Sequence, residues 1–216
     1  MPPKIPVDFY FDVVSPYSRI GFEVLLRYST RWPIDVNLRP FMLGLVMKET
    51  KNTPPALQSK QKYANLKTDV LRSGKHCGVT MNWPEDFIDR ITKKSTVYAQ
   101  RILVAVGETR PDKLETVARE FFARTWVENK GVLSRCGFSN SEVPSLIEKS
   151  SEERMKKILV KNTMDAQECG AFGAPWTVVH TRNGGKEAFF GCDRFHIMAD
   201  MIGETYEGPL RQLAKL

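Results

Sequence analysis

The sequence predicts an α/β fold that is split by a large, all-helical insertion. A strand, a helix and a second strand follow one another within the first forty residues. Helical patterns then run from about residue 42 to residue 170, and strand patterns return before a last helix. We therefore expect one α/β domain built from residues 1–45 and 169–216, with residues 46–168 forming a helical insertion domain.

The N-terminal unit has the spacing of a strand, a helix and a parallel strand. Apolar side chains alternate over residues 5–11 and again over residues 34–38, which is the period of a strand. Between these runs, apolar residues recur at helical spacing after Ser15-Pro16, until Trp32-Pro33 ends the helix. This order predicts the opening of a parallel sheet with a right-handed crossover.

The insertion is predicted to contain several helices separated by turns. One continuous helix is indicated by Phe87, Ile91, Tyr98, Ile102 and Val106. A second is expected to begin at Pro111, with Asp112 in its first turn. A third is expected to begin at Ser150-Ser151-Glu152-Glu153, which has the form of a capping box.

The C-terminal part returns to strand patterns. Residues 176–181 alternate, Asn183-Gly184-Gly185 is typical of a hairpin turn, and residues 187–190 supply the partner strand. Gly191-Cys192-Asp193-Arg194 then precedes the last helix.

The charge of the chain disfavours some classes of partner. The formal net charge is +7, from 32 Lys and Arg against 25 Asp and Glu. Because these charges are mixed and the longest basic runs are pairs, we expect no nucleic-acid binding, whereas small acidic ligands suit a mildly positive field. No apolar run approaches the roughly 18 residues of a membrane helix, so no membrane insertion is expected.

The cysteines show no redox or metal pattern. They stand at positions 77, 136, 169 and 192, so no C-x-x-C pair occurs. Together with only three histidines, at positions 76, 180 and 196, they have no recognisable metal-site spacing. We expect reduced thiols and no metal.

Ser15-Pro16 is the clearest candidate for chemistry. Serine at an N-cap followed by proline is typical of a helix start, where free N–H groups and the helix dipole favour an anion. A cap serine still has its one proton to donate, so capping and anion binding are compatible. A thiolate is the anion that we consider.

Four motifs together carry a family resemblance. They are Asp12-Val13-Val14-Ser15-Pro16-Tyr17-Ser18, Asn52-Thr53-Pro54-Pro55, Gly170-Ala171-Phe172-Gly173-Ala174-Pro175 and Phe190-Gly191-Cys192-Asp193-Arg194. In this order, over nearly the whole chain, they resemble the kappa class of glutathione transferases. The resemblance implies a thioredoxin-like domain with a helical insertion, a homodimer, and conjugation of glutathione to small electrophiles in a detoxifying role.

The resemblance also implies which residues contact glutathione near its sulfur. Ser15 would stabilise the thiolate, and Pro16 and Tyr17 would lie beside it at the helix start. Ala174 would pair its N–H and C=O groups with the peptide-like backbone of glutathione. Pro175 is expected to follow a cis peptide bond.

The two charged ends of glutathione are assigned in the same way. Cys192, which stands where the family has serine, and Asp193 would hold the γ-glutamyl end, and Cys192 is not expected to be a nucleophile. Asn52 would hold the glutathione backbone, and Lys60, or alternatively Lys62, would reach the glycine carboxylate. Simpler roles remain open: a turn former for Asn52, a helix cap for Asp193 and solvated side chains for the lysines.

Other side chains have expected structural roles. Asp12, at the end of the first strand, is expected to be a local structural partner and not a base. Trp83, Trp126 and Trp176 are candidates for an electrophile pocket or for the core.

Two alternative functions remain open from the sequence. The chain is similar also to 2-hydroxychromene-2-carboxylate isomerases, which would make it a glutathione-dependent isomerase. A non-catalytic thioredoxin-like binding protein is the alternative from another class. Disulfide oxidoreductases are more distantly similar, but Ser15 and Ser18 stand where they have their two cysteines. Glutathione peroxidase activity is a further expectation beside the transferase.

The last three residues, Ala214-Lys215-Leu216, have the form of a peroxisomal address related to Ser-Lys-Leu. We therefore expect a peroxisomal location, with the mitochondrial matrix as the alternative.

Overall fold

The computed structural model describes residues 3–126, 136–139 and 141–210. Four strands form one sheet: β1 (Ile5–Phe11), β2 (Ile34–Pro40), β3 (Trp176–His180) and β4 (Lys186–Phe190). Their order across the sheet is β2-β1-β3-β4. β1 is parallel to β2 and antiparallel to β3, and β3 and β4 form the predicted hairpin.

The described residues also form ten helices. Their bounds are α1 (Pro16–Ser29), α2 (Leu43–Glu49), α3 (Pro55–Gln58), α4 (Lys60–His76), α5 (Phe87–Thr92), α6 (Val97–Thr109), α7 (Pro111–Trp126), α8 (Glu142–Ser151), α9 (Glu153–Glu168) and α10 (Phe195–Ile202). Helices α2 to α9 all lie between β2 and β3 in the chain, so the helical insertion is confirmed. The division into two domains at residues 46 and 168 stays a prediction. Among the residues described, no helix combines the length and the apolar character that crossing a membrane requires.

The central strand β1 is covered on both faces. Val7, Phe9 and Phe11 belong to a buried cluster that continues into α1 and α7. On the other face, Tyr10 belongs to a second cluster with residues of α9, β3 and the segment around α2. Burial on both faces explains why β1 is apolar almost throughout, as a central strand requires.

Two predictions about the helices of the insertion are wrong. The helix expected over residues 87–106 is two helices, α5 and α6, separated by residues 93–96. In this break the Ser95 hydroxyl accepts a hydrogen bond from the Val97 N–H at 3.2 Å, and the Thr96 hydroxyl donates to the Asp12 carboxylate at 3.0 Å. The capping box expected at Ser150-Ser151 is also absent, because both hydroxyls instead donate to the Ile147 carbonyl at the end of α8.

A buried carboxylate fixes the turn between β1 and α1. Asp12 is 1% exposed. Its Oδ1 accepts a hydrogen bond from the Val14 N–H at 3.1 Å, and its Oδ2 accepts from the Leu43 N–H at 3.2 Å and from the Thr96 hydroxyl at 3.0 Å. The donors belong to the turn itself, to the start of α2 and to the N-cap of α6. Asp12 is thus the structural partner that the sequence predicts.

Two more side chains of the insertion hold the same region. The Gln100 side-chain amide donates to the carbonyls of Phe11 and Phe41, at 2.7 and 2.9 Å. The Trp126 ring N–H donates to the Val13 carbonyl at 3.0 Å. Helices α6 and α7 therefore anchor the end of β1 and the turn that follows it.

We expect the insertion and the sheet to unfold together because α7 shares its core with β1 and α1. The Phe122 ring is 1% exposed and lies 5.6 Å from the Phe11 ring and 5.4 Å from the Phe22 ring. Phe122→Ala should lower the free energy of unfolding by about 3–5 kcal/mol, measured by urea unfolding as one transition. The matched control is Phe172→Ala, since Phe172 is 40% exposed and should cost clearly less. An equal loss of unfolding free energy in the two variants, or two separate unfolding transitions, would contradict a shared core.

Asp12 also gives a pH-dependent prediction. Burial raises the pKa of its carboxyl to about 6, although the hydrogen bonds from Val14, Thr96 and Leu43 oppose the rise. Because the carboxyl of an unfolded chain has a pKa near ~3.9, the folded state binds this proton more tightly. The resulting stabilisation is present at low pH and is lost as the pH rises through 6.

Asp12→Asn removes this titration and leaves the others in place. The free energy of unfolding of the wild type, relative to the variant, should fall by about 3 kcal/mol between roughly pH 4 and pH 7. Urea unfolding of both proteins across this range measures the difference, in which the other titrating groups cancel. Stability curves that stay parallel would show that burial does not alter the ionisation of Asp12.

Candidate active site

Ser15 begins α1 as predicted. It has an extended backbone conformation, with φ of −83° and ψ of 118°, and its hydroxyl oxygen accepts a hydrogen bond from the Ser18 N–H at 3.1 Å. Pro16 is the first helical residue, where its missing N–H costs no hydrogen bond. Ser15 is 5% exposed, so its hydroxyl sits in a nearly closed corner at the positive end of a 14-residue helix.

The Ser15 hydroxyl meets the loop that precedes β3. It donates a hydrogen bond to the Ala174 carbonyl oxygen at 3.1 Å. The Ala174–Pro175 peptide bond is cis, as expected from the sequence. Two segments that are 159 residues apart in the chain are thus brought together at one hydroxyl.

Gly21 allows a close approach on the next turn of α1. A Cβ at this position would lie 3.2 Å from Pro175 Cγ and 3.3 Å from Cys192 Cβ. Pro175 and Cys192 therefore pack directly against the helix that Ser15 begins. Burial raises the pKa of the Cys192 thiol to about 12, so this thiol stays protonated and is not a nucleophile at neutral pH.

Asp193 presents a carboxylate just before α10. Its side chain is 66% exposed, and it accepts a hydrogen bond from Arg194 Nη1 at 2.5 Å. Gly191, with φ of +93°, makes room for it, because a Cβ there would lie 2.8 Å from Asp193 Oδ1. The segment 191–193 therefore places Cys192 against α1 and leaves Asp193 accessible, and Arg194 is the N-cap of α10.

Asn52 is tied to the loop that contains Ala174. Its side-chain amide donates to the Phe172 carbonyl at 2.8 Å, across 120 residues of sequence. Its own N–H donates to the Met47 carbonyl at the end of α2, at 2.9 Å. Asn52 is therefore more than a local turn former: it joins the segment after α2 to the loop before β3.

Lys60 and Lys62 differ in their partners. Lys60 is the first residue of α4 and is exposed, and it has no ion-pair or hydrogen-bonding partner for its ammonium within the described ranges. The Lys62 ammonium donates to the Gln58 side chain. Of the two, Lys60 is the one whose ammonium remains available.

Tyr17 connects α1 to α4. Its hydroxyl donates to the Asp69 carboxylate, and its ring packs against the main buried cluster. Burial, together with the hydrogen bond to Asp69, raises the pKa of the Tyr17 hydroxyl well above its usual range. The Tyr17 side chain is therefore uncharged and connects the two helices, so only the Tyr17 backbone remains to contact a ligand.

The three tryptophan candidates lie in aromatic clusters. Trp83 packs at ring-centroid distances of 4.4 Å from Phe87 and 6.2 Å from Trp126. Trp176 packs against Phe172 and Phe190, at 5.3 and 6.2 Å. These contacts favour a place in the hydrophobic core, and not in an electrophile pocket, for Trp83 and Trp126.

The structure brings most of the predicted site residues to one place. Contacts link Ser15 to Ala174, Ala174 follows Phe172 in the loop that Asn52 holds, and Cys192 lies against α1. Thr96, Gln100 and Trp126 anchor the turn before Ser15 from a distance, and no sequence pattern indicates this role for any of them. Within the described ranges, no group of three or more His, Cys, Asp or Glu side chains could hold a metal ion.

Comparison with known families agrees with this arrangement. Residues 6–203 match the DSBA-like thioredoxin domain family. Glutathione S-transferase kappa 1 of Caenorhabditis elegans is 37% identical over 220 residues, which cover 97% of this chain and 96% of that protein. Glutathione S-transferase kappa 1 of Homo sapiens is 33% identical over 213 residues, which cover 94% of this chain and 93% of that protein.

Solved structures show the same fold at lower identity. A 2-hydroxychromene-2-carboxylate isomerase superposes with a TM-score of 0.70 at 20% identity, covering 92% of this chain and 94% of that one. A probable DsbA oxidoreductase from Streptomyces coelicolor superposes with a TM-score of 0.67 at 13% identity, covering 98% and 91% of the two chains. Since the curated relatives exceed 30% identity along nearly the whole chain, the protein belongs to the DSBA-like thioredoxin family and, within it, to the kappa class of glutathione S-transferases.

Proposed function

We propose that this protein conjugates the thiolate of glutathione to small electrophiles, and that Ser15 is the residue that stabilises this thiolate. The observation that carries the proposal is the position of the Ser15 hydroxyl, at the N-terminus of α1 and in contact with the Ala174 carbonyl. Membership of the kappa class supports glutathione as the co-substrate.

A hydroxyl at a helix N-terminus is energetically sufficient for this task. A free thiol has a pKa near ~8.5, so only a small fraction is thiolate at neutral pH. Lowering the pKa by ~2 units requires about 2.7 kcal/mol of preference for the anion. A hydrogen bond to a charged group contributes ~1.5–3 kcal/mol and a helix N-terminus up to ~2 kcal/mol. Neither group has to accept the proton, which leaves for solvent.

Binding of the glutathione backbone would also free the Ser15 proton. This proton points at the Ala174 carbonyl, 3.1 Å away. If the cysteinyl N–H of glutathione donates to that carbonyl in a short strand pair, it replaces the Ser15 hydroxyl as the donor. The Ser15 hydroxyl can then donate to the glutathione sulfur instead. The contact observed here would then couple backbone recognition to activation of the thiol.

The charged ends of glutathione find suitable partners in the proposed orientation. The exposed Asp193 carboxylate would bind the γ-glutamyl ammonium, and the Cys192 backbone would serve the neighbouring carboxylate. The available Lys60 ammonium would reach the glycine carboxylate, and Asn52 would orient the loop that carries Ala174. Pro16, Tyr17 and Pro175 would shape the wall around the sulfur.

The reaction is a direct displacement or addition. The sulfur lone pair forms a bond to the electrophilic carbon, and either a leaving group departs with its electron pair or the adduct takes a proton from water. No covalent enzyme intermediate is needed. A detoxifying role and peroxidase activity belong to the same proposal, because each begins from the same thiolate.

The isomerase alternative has support from the fold alone, since the solved isomerase is 20% identical. A substrate panel with glutathione separates the two activities. Turnover of 2-hydroxychromene-2-carboxylate without conjugation of aryl halides would favour the isomerase over the transferase.

Assembly and location complete the proposal. A homodimer agrees with exposed apolar side chains on β4 and α10, namely Phe190, which is 43% exposed, and Ile197, which is 46% exposed. The C-terminal Ala214-Lys215-Leu216 lies outside the described residues, and we retain the peroxisome as the proposed location, with the mitochondrial matrix as the alternative.

Ser15→Ala tests the role of the hydroxyl. We expect the pKa of bound glutathione to rise by roughly 1–2 units and kcat at neutral pH to fall about 10- to 100-fold, because the hydrogen bond to the sulfur is lost. The ultraviolet absorbance of the bound thiolate, titrated with pH, measures the first effect, and conjugation of an aryl chloride measures the second.

Ser18→Ala is the matched control in the same helix. The Ser18 hydroxyl is buried and has no hydrogen-bonding partner among the described residues, so its loss should leave thiolate absorbance and turnover nearly unchanged. If Ser15→Ala keeps both the thiolate pKa and the turnover of the wild type, Ser15 is only a helix cap and the non-catalytic alternative gains support.

Deleting Leu216 tests the proposed address. Without the terminal leucine the receptor-read signal is incomplete, so a protein tagged at its N-terminus should leave peroxisomes. Fluorescence microscopy with a peroxisomal marker measures this shift. An unchanged distribution would count against the address.

A further inference from the structure

A cavity lies against the turn that precedes Ser15. Its volume is about 730 Å³, within the range of small-molecule sites, and its walls come from the turn and from helices α5, α6, α7 and α8. Val13 and Val14 form part of the wall. Because consecutive Cα atoms are about 3.8 Å apart, this wall is one peptide unit from Ser15.

The polar part of the cavity is mainly positive. Arg90, Lys94 and Arg124 line it, against one carboxylate, that of Asp86. Asp86 is shared, since it accepts from Arg90 Nε at 2.6 Å and from Lys94 Nζ at 2.7 Å. Within the part of the chain that the structure describes, Arg124 has no ion-pair partner. The lining therefore carries an excess of positive charge.

The N-terminus of α6 adds to this field. Ser95 and Thr96, which precede the 13-residue helix, both line the cavity. No side chain caps α6 from its N-cap residue, Thr96, whose hydroxyl is turned to Asp12 instead. The positive end of the helix dipole therefore faces the same space as the three basic side chains.

The remaining lining is apolar. Ile102, Phe121, Val143 and Ile147 provide aliphatic and aromatic surface beside the charges. Such a combination suits a ligand with an unsaturated or aromatic body and one acidic group, since the body removes apolar surface from water and the acid meets the cations.

We propose that this cavity binds the electrophile and selects substrates that carry a carboxylate, a specificity that rests on the conjugation proposed above. Arg124 is the principal specificity-determining residue, with Arg90 and Lys94 completing the anion site. The carboxylate would sit between α5 and the end of α7, and the reacting carbon would lie toward Val14 and the sulfur. An aryl chloride carrying a carboxylate would then form a carbon–sulfur bond with the thiolate and release chloride, without any oxidant or reductant.

The experiment compares an acid with its neutral amide. The substrates are 4-chloro-3,5-dinitrobenzoate and 4-chloro-3,5-dinitrobenzamide, each measured as kcat/KM with glutathione and divided by its uncatalysed rate constant. The wild type should prefer the acid, and Arg124→Gln should lower the ratio of acid to amide roughly fivefold, as expected for one partly exposed charge contact. Among the residues that the structure describes, the Arg124 side chain has no ion-pair or hydrogen-bonding partner to lose, so the variant should fold.

Arg182→Gln is the charge-matched control. Arg182 is exposed in the hairpin between β3 and β4 and does not line the cavity, and its loss should leave the ratio as in the wild type. Equal ratios in Arg124→Gln, Arg182→Gln and the wild type would overturn the assignment of the cavity.

A binding measurement separates this assignment from the proposed function. Calorimetric titration with the unreactive 3,5-dinitrobenzoate and 3,5-dinitrobenzamide should show tighter binding of the acid, which weakens in Arg124→Gln and with added salt. Selective binding of the acid without turnover of either chloride would contradict the transferase and keep the anion site. Turnover without any Arg124-dependent preference in binding or rate would contradict the anion site and keep the transferase.

Discussion

The buried carboxylate of Asp12 is the constraint on which the site depends. It accepts hydrogen bonds from its own turn and from two segments that are remote in sequence, at Leu43 and Thr96. Its position at the end of β1 connects these segments to the sheet. Burying a carboxylate is costly, and here the cost appears as a pKa raised to about 6. The three donors offset part of this cost, and the result is a turn whose backbone has little freedom before Ser15. A hydroxyl that must meet a sulfur atom benefits from such a rigid support.

Ser15 combines two roles that use different atoms of its hydroxyl group. As an N-cap, its oxygen satisfies the Ser18 N–H, and its only proton is left for a second partner. In the structure this partner is the Ala174 carbonyl. The same carbonyl is the natural acceptor for the backbone of a bound peptide, so recognition and activation share one group. Because one carbonyl serves both purposes, the loop before β3 has to be fixed in position. The Asn52 side chain fixes it through its hydrogen bond to the Phe172 carbonyl.

Features that depend on adjacent residues could be predicted from the sequence. The cap at Ser15-Pro16 and the hairpin at Gly184 each follow from the conformational preferences of one or two residues. The cis bond before Pro175 is expected from the family resemblance, since a proline alone permits a cis bond without requiring it. The anchoring of the turn could not be predicted, because its contacts join residues 84, 89 and 113 positions apart. The break between α5 and α6 is not indicated by the sequence for the same reason. Helical periodicity continues through Thr96, but the hydroxyl of Thr96 is used by Asp12, which no local pattern reveals.

The sheet and the helical insertion contribute to different parts of the site. The groups proposed to hold glutathione come mainly from α1, from the loop before β3 and from the segment before α10, all of which pack on the sheet. The helices α5 to α8 contribute the anchoring of the turn and the wall of the neighbouring cavity. Because Trp126 holds the Val13 carbonyl while Arg124 lines the cavity two residues earlier, the same end of α7 supports both functions. Exposed charges there can change without disturbing the buried contacts that position Ser15, so the choice of electrophile can vary while activation of the thiol is kept.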